Sequence, residues 1–523
     1  MTPIRITAIA GLLSLAFGAQ AQYDGEAFRF SQQTLNGTAR FQGLGGNHAA
    51  LGGDASNNWG NAAGLGFYNR SELSISPSAR LSGVDANFIG GTTTANRTFV
   101  PISNASLVFA GQPQNEGRSL RRTAFAVSYS QQANFGSESV FSGRNNRSSI
   151  VDSYINNLNT GRPISSTALD QEYNFDDNQA NFIEAAAYQL YLFDPRPANS
   201  SQYFRAFDAT VPVNQQSSFS SSGRQSQWNI GYAANFNDKL YVGGSFAFTQ
   251  SRYTFTENYD ETFVGGRVYR GLRQTTSNEI RGGGVNVSLG AMYRATPFLQ
   301  LGVNVVSPTV SNLRETFNQS LRADIIGIPS TDAQGRATTF VPDNASVAVY
   351  PNDFNFRTTG PLRASGGATV FFGRSGFLTA TAEYIGYGGM RVSTTGYSST
   401  ADNQAFREDQ KRAVLANYQS VINFRVGGEF RAGTFRARGG VAYLPGAYKP
   451  TFDELARNGD RNSLAISGGV GYRSDRFFAD LTGSAYSFKT ASTPYSLPNQ
   501  ADYASATLTN RVTSVVLSAG VFF

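Results

Sequence analysis

The chain has no cysteine, one histidine, three methionines and only four lysines in 523 residues. Without cysteine there is no disulfide framework and no thiolate metal site. The lone histidine, His48, excludes a pair of axial imidazoles for haem. It also stands in a glycine-rich stretch, where a turn or packing role fits better than Ser-His hydrolase chemistry. Charged residues are scarce at 15%. Beyond the first twenty or so residues no window offers the roughly 18 apolar residues of a spanning helix, and the mean hydropathy is −0.29. The mature chain is therefore either exported to an aqueous compartment or crosses a membrane as a closed sheet.

Glycine (55 residues) and aromatics (13%) are abundant, which argues against disorder. Basic residues are overwhelmingly arginine, and the net charge is +7. The arginines are scattered without a run, so an anionic lipid surface is a better counterpart than nucleic acid. Met1 to Ala21 reads as an export signal: Arg5, an apolar stretch from Ile6 to Phe17, and Ala19-Gln20-Ala21 as a small-x-small cleavage site before Gln22. Its removal leaves 42 basic against 36 acidic residues, or +6.

The stretch from Gln225 to Thr254 carries the most information. Trp228, Ile230, Tyr232, Ala234 and Phe236 alternate with small or polar residues; after Asn237-Asp238, Leu240, Val242, Gly244, Phe246 and Phe248 do the same. Period-2 alternation around a dipeptide suited to a tight turn predicts a β-hairpin with one apolar face. Each arm has the roughly 10 residues that a tilted strand needs to cross a bilayer. The pattern recurs in Phe67–Ala79, Ala105–Phe109, Thr123–Tyr129, Val285–Tyr293, Leu299–Val305, Leu362–Phe372, Phe377–Tyr387, Ile422–Phe430, Phe435–Tyr443, Leu464–Tyr472, Phe477–Leu481 and Thr507–Phe523. Fourteen strands, with short connections after the even-numbered ones and longer connections between, predict an all-β, 14-stranded antiparallel transmembrane barrel spanning 66–523. Val515, Leu517, Ala519, Val521 and Phe523 form a last strand ending on an aromatic residue, similar to the signal read by the barrel assembly machinery of bacterial outer membranes.

The remaining segments have distinct characters. Residues 22–65, rich in Gly and Asn, have the length to form an N-terminal plug, or hatch, in the lumen. Gly43-Leu44-Gly45-Gly46 lacks the spacing and the βαβ context of a phosphate loop and reads as tight turns. The long extracellular connection 134–224 holds two helical patterns. Ile150, Val151, Tyr154, Ile155 and Leu158 share one face; Phe182, Ile183, Ala186, Ala187 and Leu190 share another. These faces either pack on each other and on the barrel rim, or form an apolar groove lined by Ile150, Tyr154, Ile155, Phe182, Ile183, Ala186 and Leu190 that receives hydrophobic ligands. Asp402 to Leu415 reads as a further loop helix. Glu257, Asp260 and Glu261 read as a solvated acidic tip rather than a calcium site, so no metal or cofactor is expected.

Taken together, these features resemble the FadL/TodX family of outer-membrane hydrophobic-compound transporters, notably its Bacteroidetes branch. Gly37-Thr38-Ala39-Arg40-Phe41-Gln42-Gly43 is similar to the family's Gly-x-x-Arg-x-x-Gly opening. Asn61-Ala62-Ala63-Gly64-Leu65 stands where the family has Asn-Pro-Ala, with Ala62 in place of proline. Asn134-Phe135-Gly136 resembles the Asn-aromatic-Gly beside an inward kink that opens a lateral gap. Residues 302–309 and 423–430 resemble family strand ends. The resemblance implies a hatch involving Arg40, Asn61, Ala62, Ala63 and Gly64, and a kink at Asn134, Phe135 and Gly136. It also implies passive passage of long-chain fatty acids or other apolar molecules across a bacterial outer membrane; the expected route is capture in the outer apolar groove and release as the hatch shifts, through a lateral opening. On this reading the chain is a monomeric non-enzyme whose partners are its hydrophobic ligand and the surrounding lipid and lipopolysaccharide. The competing readings are a barrel component of a type IX-like secretion or surface-assembly system, a barrel enzyme and a general porin.

Overall fold

The computed structural model describes residues 22–111, 119–160, 164–206, 212–342 and 345–523. The expected export signal and most of the polar connection 112–119 lie outside these residues. Alternating side chains build fourteen antiparallel strands: β1 (Glu72–Phe88), β2 (Gly91–Phe99 and Ile102–Ala110), β3 (Leu120–Asn134 and Ser137–Asn145), β4 (Val213–Phe236), β5 (Leu240–Phe263), β6 (Tyr269–Arg294) and β7 (Leu299–Val306 and Val310–Ile325). The set continues with β8 (Ser346–Val349, Asn352–Thr359 and Arg363–Phe371), β9 (Gly376–Ile385 and Arg391–Ser393), β10 (Val421–Ala432), β11 (Phe435–Leu444), β12 (Ser463–Arg473), β13 (Phe477–Ser492) and β14 (Ala506–Phe522). Each strand pairs with the next, and β14 closes on β1 from Thr507↔Asn87 to Phe522↔Glu72. The ladder closes on itself around the barrel, the upper part of the β2–β3 seam excepted, which permits a β-structure to cross a bilayer.

The exterior bears out the alternation. Leu289, Phe430, Val470 and Leu517 are about half exposed or more and point outward, whereas their neighbours Ser288, Glu429, Gly469 and Val516 turn inward or sit between strands. The Asn237-Asp238 turn has φ of 55° and 54°, the left-handed pair of a type I′ hairpin.

Strand length departs from the expectation. β4, β5 and β6 run for 24, 24 and 26 residues, whereas a crossing needs only about 9–11. They stand well above the apolar band, so several stretches that read as long outer connections are strand. β1 and β2 join through Ile89-Gly90 alone, and β1 begins at Glu72 after a 3-10 turn, Ala62–Phe67. The long connection is shorter than 134–224, because strand resumes at Ser137–Asn145 and again from Val213. Polar, small side chains hide these stretches: alternation persists there, but the outer face is no longer apolar.

Five short helices line the bore and the outer face: α1 (Gln22–Arg29), α2 (Ala39–Gly43), α3 (Ile150–Thr160), α4 (Ser166–Gln171) and α5 (Ile183–Gln189). A sixth, α6 (Thr400–Asn417), lies between β9 and β10, and a single turn, α7 (Glu454–Arg457), between β11 and β12. No described helix is long and apolar enough to cross a membrane.

Candidate functional site

Residues 38–68 block the bore, and the barrel wall is shaped to seat them. Gly231, Gly243, Gly290, Gly302, Gly427 and Gly440, on six different strands, lie against the backbone or side chains of this segment. A Cβ on Gly302 would come within 1.9 Å of the Ala49 carbonyl oxygen, and one on Gly243 within 2.6 Å of the Ala62 carbonyl carbon. The lumen-facing glycines that the sequence shows in such number are, at these positions, room for the plug.

Asn61 is fully buried; its Nδ2 donates to Ala49 O (2.7 Å) and Val303 O (3.1 Å), and its Oδ1 caps the Ala62–Phe67 turn through Ala63 N (3.1 Å). Ala62 and Ala63 are equally buried, and Gly64 lies too close to the Asn57 side chain to carry a Cβ. Arg40 donates to Gly52 O and Gly53 O (3.3 and 3.0 Å) and approaches Glu429 at 3.4 Å. Glu429 is shared with Arg438 (2.7 Å), which also binds Asp480 at 2.6 Å. An alternating chain of buried charges therefore rivets α2 to β10, β11 and β13.

His48 belongs to the same stopper. Its Nδ1 faces Gly46 O (3.3 Å) and its Nε2 the Ser365 hydroxyl (3.4 Å). Burial, aided by Arg425 and opposed by Glu383, pushes its pKa down to about 4. Glu383 is committed to Arg425 (2.6 Å) and Asn423 (3.3 Å), so the Nδ1 partner of the imidazole is a carbonyl and not the carboxylate that a Ser-His hydrolase needs.

Above the plug lies a feature that sequence periodicity did not indicate. The first described segment, α1 through Phe30, is swallowed by an apolar chamber built from Tyr253, Phe354, Phe356, Tyr387, Phe406 and Tyr418 and aliphatic neighbours. Tyr23 packs on Phe354, Phe356 and Phe406 with ring centroids 4.9, 5.0 and 5.6 Å away. Phe28 packs on Tyr387, Tyr418 and Tyr448 at 5.2, 4.7 and 5.1 Å. Eight residues are too few for a convincing helical period, and the aromatic partners come from four separate parts of the chain. Only the Tyr-x4-Phe-x-Phe spacing of residues 23–30 could have hinted at it.

The chamber also takes in charge. Asp24, buried, accepts from Asn417 Nδ2 (2.7 Å), and burial raises its pKa. Glu26 pairs with Arg29 (3.0 Å), whose guanidinium lies 4.0 Å from the Tyr253 ring centre. Burial and the nearby Glu315 carboxylate push the Tyr23 hydroxyl far up.

Two ways lead out. Downward, Phe30, Ser31 and Gln33 face Gln132, Gln225, Gln227, Thr249 and Ser311 around a cavity of about 30 Å³, polar and water-sized. Sideways, Phe30 touches Phe135 (5.5 Å), which touches Tyr253 (5.7 Å). Here β3 breaks at Phe135-Gly136. The ladder between β2 and β3 covers only Asn104–Ala110 against Ala124–Ser130; above it Gly91–Phe99 pairs only with β1, and Ser137–Asn145 only with β4. Side chains bridge the gap: Arg97 reaches Glu138 (3.4 Å) and Ser221 O (2.9 Å), Thr93 bonds Val140 O, and the Phe99 ring covers Gly136. Asn134 caps the break, its Oδ1 accepting from Gly136 N at 2.8 Å.

The outer helices do not form an open groove. Ile150, Tyr154, Ala186 and Leu190 are at most 3% exposed, and Ile155, Phe182 and Ile183 pack against the same cluster as Tyr259, Phe263, Tyr269, Leu272 and Leu321 of the barrel rim. Of the two readings open for these faces, the structure has the packed one and not the groove: they face one another and the rim, because a helical face this apolar is most stable when its neighbours cover it. Glu261 is not on a loop tip: it lies in β5, buried, and accepts from Ile150 N (2.9 Å), Gln215 (3.0 Å) and Tyr259 (3.0 Å) at the start of α3. Asp260 is paired with Arg273 at 2.6 Å. No cluster with metal-ligand character occurs among the described residues.

No protein-family profile and no curated protein sequence matches this chain. Among solved structures, it is similar to a Pseudomonas aeruginosa FadL homologue, with a TM-score of 0.53 at 12% identity over 94% of this chain and 99% of that one. The Pseudomonas putida toluene transporter TodX follows at 0.49, 12% identity and the same coverages. The Ralstonia pickettii toluene transporter TbuX follows at 0.43 and 14%, again over 94% and 99%. The first of these establishes a shared fold.

Proposed function

We propose that the protein is a passive channel of the FadL type in a bacterial outer membrane, taking up neutral apolar molecules into the chamber that α1 occupies and releasing them sideways between β2 and β3. The observation that carries this reading is the continuity of aromatic side chains from the chamber, through Phe30 and Phe135, to a break in the ladder that side chains bridge. The downward way is lined by amide and hydroxyl groups and ends on a riveted plug. An apolar solute that took it would strip hydration from those groups without replacing their hydrogen bonds.

In this mechanism the plug stays and α1 moves. A ligand that binds the chamber competes with α1 for the same rings, so it draws the protein toward the state in which α1 has left, by its differential affinity alone. The closed outer cluster opens for capture, its helices swinging from the rim. Displacing α1 also removes Arg29 and leaves the wall carboxylate Glu315, held by Asn278 at 2.5 Å, beside the ligand. That disfavours a free fatty-acid carboxylate relative to a neutral alkane, arene or protonated acid.

The test is uptake of a neutral arene, an alkane and a long-chain fatty acid into cells carrying the wild-type protein or Gly136→Trp. Loss of neutral-solute uptake in the variant supports the lateral route. Unchanged uptake of every solute sinks it. Co-purification of secreted proteins with the barrel, and no effect of its deletion on apolar uptake, would favour a role in secretion instead.

A further inference from the structure

On the outer surface, Arg224 of β4 stands directly opposite Arg252 of β5, Arg252 opposite Arg281 of β6, and Arg281 opposite Arg314 of β7. All four are exposed and share the outward parity of Trp228, Phe248, Val285 and Val310, the last exposed apolar residues below them on the same strands. Each arginine is four residues above its apolar reference. At about 3.3 Å per residue on a strand tilted by roughly 40°, that places the row about 10 Å above the top of the lipid-facing band, at headgroup depth in the outer leaflet.

Like charges facing each other across neighbouring strands destabilise a sheet, and three such contacts in succession are unfavourable unless something anionic lies over them. The protein supplies part of that charge. Glu279 sits between Arg252 (3.0 Å) and Arg281 (2.6 Å), and Asp353 meets Arg314 at 2.9 Å. Neither forms an ion pair with Arg224. Arg357 of β8, exposed and bonded only to the Asn312 amide oxygen at 3.0 Å among its described contacts, extends the row. Five guanidinium groups thus face the leaflet with two carboxylates among them.

We infer that this row binds the headgroup of an outer-leaflet lipid carrying two or more phosphates, its acyl chains lying along the apolar band beneath. Guanidinium forks a strand spacing apart suit bidentate contact with phosphate oxygens, and the height of the row matches the place where such phosphates lie. The row begins beside the ladder break, since Arg224 is paired with Asn134. A lipid held there borders the proposed lateral gap, although the inference stands on the arginines and does not depend on the transport reading.

Native mass spectrometry of the whole barrel in neutral detergent, titrated with diphosphoryl lipid A and with the same lipid after phosphate removal, tests it. The wild type is expected to bind the phosphorylated form at least about tenfold more tightly, a preference that weakens as salt rises. The variant R224Q/R281Q/R314Q is expected to lose that preference while retaining the heat-shifted gel mobility of a folded barrel. Changing Arg270 and Arg273, which have their own partners Asp324 and Asp260, is expected to leave it intact. Equal binding of both lipids by the wild type, or an undiminished preference in the triple variant, overturns the inference. Displacement of the lipid by an equal concentration of inorganic pyrophosphate would also overturn it, by marking a free-phosphate site. Should the triple variant fail to fold, R224Q alone, whose arginine has no acidic partner among the described residues, carries the same reading with a smaller loss.

Discussion

The ring of Phe99 lies against the Cα of Gly136, so closely that a Cβ added there would fall 1.9 Å from Phe99 Cζ. No side chain at position 136 coexists with that ring position. Phe99→Ala is therefore expected to leave an opening between β2 and β3 and to raise permeation of an apolar dye severalfold, with no gain for ions, because the plug is untouched. Gly136→Trp is expected to lower apolar uptake by an order of magnitude while displacing Phe99. A dye-influx assay beside planar-bilayer conductance separates the two: a rise in conductance for Phe99→Ala would place the leak in the bore and not at the wall.

Phe28 contacts three tyrosine rings and Tyr23 three phenylalanine rings, all inside the chamber. Truncating a buried Phe to Ala costs about 3–5 kcal/mol in a well-packed core. Phe28→Ala is expected to spend that on the docking of α1 alone, since the barrel ladders do not depend on it. Hydrogen exchange should speed up in residues 23–30 and stay unchanged in the strands. Apolar ligands should bind more tightly to this variant, because less of the protein holds its own helix in the chamber. Slower exchange, or weaker ligand binding, would argue that α1 builds the binding surface instead of occupying it.

Much of this molecule is legible in the chain. Alternation at Trp228–Phe236 and Leu240–Phe248 locates a hairpin whose turn, register and outward face the structure reproduces, because in a bilayer the solvent itself enforces the period. The upper strands escape that reading: Ser218, Ser220 and Arg224 are outward on β4 but polar, as water there demands nothing apolar. The chamber escapes it for another reason. Tyr23, Phe28, Phe356 and Tyr418 are far apart in sequence, and each alone is an ordinary aromatic residue. Periodicity reports which face is wet, not which distant rings meet. The choice left open for α3 and α5, groove or packed cluster, shows the same limit: the apolar faces were visible, and their partners, Tyr269 and Leu321 among them, were not.

Glu429 holds Arg40 of the plug and Arg438 of the wall together, with side chains nearly sealed from solvent. Glu429→Gln would leave two guanidinium groups buried around a neutral amide, the kind of uncompensated change that costs about 3–5 kcal/mol. The expected consequence is a loosened stopper, seen as ion conductance through a bore that is otherwise blocked and as protease cleavage near Gly52-Gly53. Arg431, at 2.8 Å from Glu429 and partly exposed, is the matching control: its removal leaves the buried pair intact and should not open the pore. Equal conductance in both variants would mean that the wall glycines, not the charges, hold the plug.

His48 gives the plug a pH dependence whose sign can be worked out. In the unfolded chain its imidazole titrates near 6.5; in the plug, burial and Arg425 outweigh the attraction of Glu383 and bring it down to about 4. Between those values the unfolded state binds a proton that the folded state refuses, so stability falls as pH drops from 6.5 toward 4 and is unaffected by this group above 7. The full difference corresponds to about 3 kcal/mol. Gln at 48 can donate to Gly46 O without gaining a charge, so His48→Gln should flatten the wild-type decline across that window. Because carboxylates titrate too, the readout is the difference between the two proteins' pH profiles of thermal plug release, followed by Trp59 fluorescence. Parallel profiles from pH 7 to 4 would mean that the imidazole takes up its proton inside the plug without penalty, through water reaching the small cavity it shares with Gln33 and Ser365.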